Sequence, residues 1–285
     1  MMVKLRLFDT GYCLAREALA IRGGRATPCR FHATFALIEH PQQGFCLFDT
    51  GYSARFFAAT SKFPYSLYAR VTPVCHRPGQ SAVELLKEAG IHPEDIKLII
   101  VSHFHADHIG GLADFPKAGF LCAQSAYAGI AGKKGFAALA QGFLPDLLPS
   151  RFLERASFVE NCPVVTLEEQ YAPFEDGFDL FEDGSMIAVR LDGHARGQIG
   201  LLLNAADGPC FLVADGCWLS RSYREHLPPS RWAGLIFSNR TEYTANLRRL
   251  HDLHKNNPRL SILPTHCPEV LQAILNQTAS HVPQS

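Results

Sequence analysis

Residues 103–108 read His-Phe-His-Ala-Asp-His, and no other stretch limits so sharply what the chain can become. Three imidazoles and a carboxylate fall within six residues. They follow Lys97-Leu98-Ile99-Ile100-Val101, an apolar, β-branched run with the character of a buried strand, and they precede Ile109-Gly110-Gly111. Imidazole and carboxylate are ligands that first-row metals accept readily. In an extended segment His103 and His105 project to the same side, so both rings can converge, while Asp107 and His108 sit beyond a bend and aim at a neighbouring point. The pattern predicts a metal-binding loop at the end of a buried strand, holding two adjacent ions rather than one.

Four further segments carry candidate site residues. Leu47-Phe48-Asp49-Thr50-Gly51 lies upstream. Asp192-Gly193-His194 follows the apolar run Ile187-Ala188-Val189-Arg190-Leu191. Phe211-Leu212-Val213-Ala214 ends on Asp215, and Ile262-Leu263-Pro264-Thr265 leads to His266. With the hexapeptide, these segments resemble in order the motifs of the metallo-β-lactamase superfamily, whose signature is His-x-His-x-Asp-His. The resemblance spans roughly residues 30–270. It implies an α/β fold of the four-layer αββα sandwich type, formed by residues 1–285 as a single domain, with the metals at one edge between the sheets. It also implies the ligand set. His103, His105 and His194 would hold one ion with an open position; Asp107, His108 and His266 would hold the second; Asp215 would bridge them. Asp49 would orient a ligating imidazole from behind. Two divalent ions per chain are expected, zinc first, although iron, manganese or cobalt suit the same ligands. A hydroxide bridging the two would form near neutral pH and attack a carbonyl carbon, with Asp107 able to pass a proton to the leaving alkoxide.

The sequence Leu-Phe-Asp-Thr-Gly-Tyr occurs twice, at 7–12 and 47–52. Both copies are expected at strand-to-turn exits, where Gly tolerates the turn dihedrals and Asp bonds neighbouring amides. Asp9 is read as an ordinary turn residue. The remaining histidines, at 32, 40, 76, 92, 226, 251, 254 and 281, have no comparable context.

Strands are predicted at 3–8, 33–39, 44–49, 97–101, 119–123, 186–191, 199–204, 210–214 and 260–263. Helices are clearest at 81–89, 245–256 and 268–280. The first opens on Ser81-Ala82-Val83-Glu84, a capping-box pattern, and closes at Gly90. With 285 residues, 47% of them hydrophobic, the chain can bury a substantial core. Formal net charge is zero, which disfavours nucleic acid as a partner. No run approaches membrane-spanning length, and the N-terminal segment lacks the apolar stretch of a signal peptide. Nine cysteines, odd in number and without C-x-x-C pairs, are expected as reduced thiols in a cytoplasmic protein.

Within the superfamily the chain looks most like the N-acyl homoserine lactonases, whose activity quenches quorum signals. Leu7-Phe8-Asp9-Thr10-Gly11-Tyr12-Cys13 resembles their N-terminal segment, followed here by a basic loop at 14–32. Residues 124–153 resemble their cap region. Phe136, Leu139, Phe143, Leu147, Leu148 and Phe152 would then line a channel for an acyl chain, or simply pack as core. One departure is clear: those lactonases often carry a tyrosine three residues after the bridging Asp, and Trp218 stands there. Its indole N–H can donate one hydrogen bond but cannot serve as acid or base. The partner implied is a small molecule with an acyl chain, and a homodimer is open by analogy. The rival activities on the same metals are a thioesterase of the hydroxyacylglutathione hydrolase type and a phosphodiesterase that would recruit Arg221, Arg224, Arg231 or Arg240. A non-catalytic binder is disfavoured because every expected ligand is present.

Overall fold

The computed structural model describes residues 1–272 and 274. Among the described residues, thirteen strands fall into two sheets. The first contains β1 (Lys4–Arg16), β2 (Pro28–His40), β3 (Gly44–Phe48), β4 (Val74–Cys75), β5 (Ile96–Ile100), β6 (Gly119–Cys122) and β7 (Ala156–Phe158), in the order β4-β1-β2-β3-β5-β6-β7. The second contains β8 (Val164–Thr166), β9 (Asp176–Asp179), β10 (Met186–Arg190), β11 (Ile199–Leu203), β12 (Cys210–Ala214) and β13 (Ser261–Pro264), in the order β13-β12-β11-β10-β9-β8. β3, β5, β6 and β7 run parallel, and β13 joins β12 in parallel.

The runs that read as continuously apolar do so because both of their faces are covered. Along β12, Cys210, Leu212 and Ala214 turn into the core shared by the two sheets, while Phe211 and Val213 face the opposite way. In β10 and β11, Met186, Ala188, Ile199, Leu201 and Leu203 join the shared core, and Val189 and Leu202 the outer cluster. That outer cluster is closed by Leu247, Leu250 and Leu253 of the helix Arg240–Asn256. On the first sheet the helix Ala82–Glu88 packs beside β1, its Ser81 N–H donating to the Glu84 carboxylate at 3.1 Å as the capping pattern predicts. Helix, sheet, sheet and helix give the αββα sandwich.

Several boundaries differ from the sequence reading. The 14–32 segment is not chiefly a loop: β1 continues to Arg16 and β2 starts at Pro28, with Leu14 paired to Arg30 and Arg16 to Pro28. A long hairpin arm results. The first Asp-Thr-Gly copy therefore marks no strand exit. Gly11, at φ +116, sits in an irregularity of the β1–β2 register, and the strand runs on beyond it. The two copies instead meet face to face, the Tyr52 N–H donating to the Thr10 hydroxyl at 2.8 Å. The long C-terminal-half helix starts at Arg240, earlier than 245, because the Asn239 side chain accepts the Thr241 and Glu242 amides. The helix predicted at 268–280 begins at Pro268; beyond 272 that expectation lies, apart from Ile274, outside the described residues. All nine cysteines are free and six are buried. Among the described residues no helix is long and apolar enough to cross a membrane.

Candidate metal centre

β3, β5 and β12 end at the same edge of the sandwich, and each hands over a site residue as it leaves its sheet. Asp49 follows β3 and Asp215 follows β12. Asp49 and Ala214 have φ of +60 and +46. Left-handed backbone at non-glycine residues is uncommon and clusters where a side chain must be aimed. His194 comes from the turn after β10. Gly193, at φ +126, lets that turn press on the helix Arg240–Asn256, where a Cβ would meet the Tyr243 backbone N at 2.2 Å. His266 follows β13.

These chain ends bring all seven sequence-predicted ligands together. Their donor atoms form two groups, one of His103, His105, His194 and Asp215, the other of Asp107, His108 and His266, each spanning no more than 4.8 Å. Asp215 stands between them. Its carboxylate lies 3.0 Å from His194 Nε2, 3.1 Å from His266 Nε2 and 3.3 Å from His108 Nε2. Asp107 is more remote, 3.5 Å from His266 and 4.0 Å from His108. Nearly all of these side chains are buried.

A layer of hydrogen bonds fixes which nitrogen His103, His108 and His266 present. Asp49 accepts from His108 Nδ1 at 2.7 Å, from the Ser102 amide at 2.8 Å and from the Ser102 hydroxyl at 2.7 Å. That hydroxyl also contacts His103 Nδ1 at 3.0 Å. His266 Nδ1 donates to the His32 carbonyl at 2.5 Å, and the His32 ring is held by Asp9 at 2.9 Å. Asp9 is thus not an ordinary turn residue, and His32 does have a context: the β1–β2 register brings both behind His266. With Nδ1 engaged in His103, His108 and His266, their Nε2 atoms are turned inward; His105 instead sets Nδ1 2.9 Å from His194 Nε2, and His194 Nδ1 has no partner among the described residues. Buried polar atoms are normally paired. Here His103 Nε2, His108 Nε2 and Asp215 Oδ1 have no hydrogen-bond partner among the described residues. A divalent cation would satisfy all three, so the donor set fits one.

The electrostatics agree. Burial, reinforced by the neighbouring imidazoles, pushes His103 and His105 well below the ordinary histidine range, leaving them neutral and able to ligate. Burial also works against a charged His108 and His266, yet the Asp49, Asp215 and Asp107 carboxylates raise the first, and Asp215 and Asp107 the second. Burial would raise the Asp215 carboxyl, but His266, His194 and His108 hold it well below the usual range. The carboxylates thus favour a protonated imidazole where a cation's charge would lie, and metal must displace such a proton. Metal binding near neutral pH should release protons and tighten as pH rises, until His108 and His266 are neutral without metal. Calorimetry in buffers of different ionisation heats tests this; heats independent of buffer would contradict it.

The model of the metallo-beta-lactamase superfamily matches residues 31–250. The chain belongs to the metallo-β-lactamase superfamily. It is accordingly a metal-dependent hydrolase. Among curated proteins it is 26% identical over 236 residues to the N-acyl homoserine lactonase AttM of Azorhizobium caulinodans, covering 82% of this chain and 84% of that one. It is 25% identical over 252 residues to the N-acyl homoserine lactonase AiiB of Agrobacterium fabrum, covering 82% and 83%. Among solved structures, an N-acyl homoserine lactone hydrolase with N-hexanoyl-L-homoserine at its catalytic metal centre superposes with a TM-score of 0.72 at 17% identity, covering 96% and 97%. The dizinc quorum-quenching lactonase AidC superposes with 0.62 at 14% identity, covering 93% and 88%.

In this superfamily member a cavity of about 300 Å³ opens onto His105, Asp107, His194, Asp215 and His266. Its wall is not the one the sequence suggested. Phe143 and Phe152 line no part of it. They are buried against Phe104, and Phe152 stacks on Phe120 at 4.8 Å, so they hold the 124–153 segment to the core. That segment serves the site differently: Gly142 lies so close to His105 that a Cβ would meet the ring at 2.5 Å. The apolar wall comes from Leu14 and Leu19 on the hairpin arm, Val71 after Tyr68, and Trp232 and Ile236. Trp218 does line the cavity, but its indole N–H donates to Asp215 at 2.9 Å and is not free for a substrate. Sequence reasoning missed Ser102, His32, Gly142 and Trp232. Only Ser102, adjoining the hexapeptide, carried a local signal.

Proposed function

We propose that the chain opens the lactone ring of N-acyl homoserine lactones or a closely related cyclic ester, using two divalent ions, zinc first, held by the two donor groups with Asp215 between them. The observation that carries this reading is an apolar cavity opening directly onto the metal-ligand set. The AttM and AiiB relatives support it. Among the described residues lining the cavity there is no Lys or Arg. Arg221 is instead paired with Glu225, and Arg224 with Glu269. This disfavours a phosphodiesterase, which needs cationic contacts near the reacting phosphate.

Bound metal would supply a water acidic enough to ionise near neutral pH and a Lewis acid for the carbonyl oxygen. The residues do the rest. Asp49, Ser102 and the His32 carbonyl hold the rings in their ligating tautomers. Asp107, less tightly engaged than Asp215, is placed to return a proton to the alkoxide freed by ring opening. Trp218 and Phe31 close the apolar side of the cavity beside the ligands and limit water there. The chain is taken as one catalytic domain, with 124–153 as an insertion that supports His105.

Turnover of acyl homoserine lactones, an S-acyl thioester and bis(p-nitrophenyl) phosphate by metal-replete protein tests the assignment. Activity on the last two alone would remove it. Elemental analysis should approach two equivalents per chain, and a ceiling of one would remove the binuclear reading.

The rim also predicts a chain-length preference. Val71 is 80% and Trp232 76% exposed, so large apolar side chains at the mouth stand in water with little to cover them. Each methylene buried there contributes about 0.8 kcal/mol, roughly fourfold in affinity. KM should fall as the acyl chain lengthens to reach the rim, and Trp232→Ala should flatten that dependence with little change in kcat for short chains. Equal chain-length profiles in the two proteins would rule out this path for the acyl chain.

A further inference from the structure

Carbonyl attack places negative charge on an oxygen, and a fixed donor that meets this charge lowers the barrier. The cavity offers few such donors beyond the ligand set. The Trp218 N–H is given to Asp215. Trp232 stands at the exposed rim. The Cys13 thiol is a weak donor, and burial, with Asp107 and Asp215 nearby, pushes it up to about 12. Two hydroxyls remain, on Tyr68 and Thr72.

Tyr68 is the better placed. Its ring packs edge-on against buried Phe56 at 5.7 Å, which fixes its direction. Its hydroxyl bonds the backbone of Ala106, the residue between His105 and Asp107, and lies close enough to feel the Asp107 and Asp215 charges. Ala106 opens the short helix Ala106–Ile109, so its N–H is a first-turn donor with no partner inside the helix. Once the phenol oxygen accepts that N–H, its own proton is left to donate. Thr72 adjoins the solvent-exposed Val71 instead.

We propose that Tyr68 is a catalytic hydrogen-bond donor, its hydroxyl binding the substrate carbonyl oxygen and tightening on it as negative charge develops. This rests on the lactone-hydrolase reading for the identity of the substrate, but the role applies to any acyl group turned over here. Tyr68 reaches the site from a segment remote in sequence from every ligand, and it supplies the donor that Trp218 cannot.

The test compares wild type, Tyr68→Phe and Thr72→Val, all with equal metal content and similar melting temperatures, on N-hexanoyl homoserine lactone. Tyr68→Phe should lower kcat by about 100-fold, the scale of losing one oxyanion donor, with KM changed less than about threefold. Thr72→Val should stay within about twofold of wild type. Calorimetry with the ring-opened N-hexanoyl homoserine provides a readout apart from turnover: Tyr68→Phe should bind it several-fold more weakly. A Tyr68→Phe variant with wild-type kcat and product affinity overturns the proposal, as does a loss that follows Thr72 instead. If wild type ignores lactones but cleaves the thioester, the lactone reading falls, and the same three proteins on the thioester decide Tyr68. A wild-type protein that turns over neither acyl substrate overturns both.

Discussion

Asp215→Ala is expected to abolish hydrolysis, lowering kcat/KM by at least about 10³-fold. Asp215 belongs to the group with His103, His105 and His194, and it also approaches His108 and His266 of the other group. Its carboxylate lies within hydrogen-bonding range of His194, His266 and His108 and accepts the Trp218 N–H. Removing it leaves those imidazoles without the charge that raises His108 and His266, and leaves an indole donor unpaired. Metal content should fall with activity. Asp107→Ala should also abolish turnover, but the His103, His105, His194 and Asp215 group survives intact, so one equivalent of metal should remain. Turnover and elemental analysis on the same preparations separate these outcomes. An Asp215→Ala protein within about tenfold of wild type would mean the site is misplaced.

The second large effect is expected at Asp49, which touches no substrate. Its carboxylate is buried and accepts three hydrogen bonds, from His108 Nδ1 and from the amide and hydroxyl of Ser102. Asp49→Ala strands those donors, at a cost of about 3–5 kcal/mol in folding stability. Its φ of +60 adds strain for an alanine. Asp49→Asn is the sharper test, because asparagine tolerates that backbone and keeps the volume. An amide N–H₂ in place of the oxygen facing His108 Nδ1 would drive the imidazole to its other tautomer, with the proton on Nε2, the atom turned toward the metal. Affinity for the second ion should drop about 10–100-fold while the fold persists. Wild-type metal affinity in Asp49→Asn would show that Asp49 does not set the tautomer of His108.

Much of this is legible in the sequence alone, and the reason differs by feature. His103, His105, Asp107 and His108 declare themselves because ligand chemistry is carried by residue type, and type is written in the sequence. The central strands are legible because a strand covered on both faces must be apolar throughout, as in Phe211–Ala214. β4, β7, β8 and β9 escape, since each has only two to four residues and Asp176-Gly177-Phe178-Asp179 shows no apolar run. The capping residue Asn239 was available in the sequence and extends its helix to Arg240.

What the sequence by itself determined is the central strands and the candidate ligands at their ends, because both depend on local pattern and intrinsic chemistry. Tertiary structure decided which apolar residues face the reacting centre. Phe143, Phe152, Leu14 and Trp232 look alike as side chains, yet the first two fill the space around Phe104 and the last two border the cavity. Burial in a core and exposure on a pocket wall demand the same hydrophobicity, so only packing between distant segments can separate them. The same holds for the supports behind the ligands. Asp9 and His32 reach His266 through β1–β2 pairing, and Tyr68 reaches Ala106 across 38 residues of chain. A carbonyl or a hydroxyl carries no mark of its partner until the fold brings the two together.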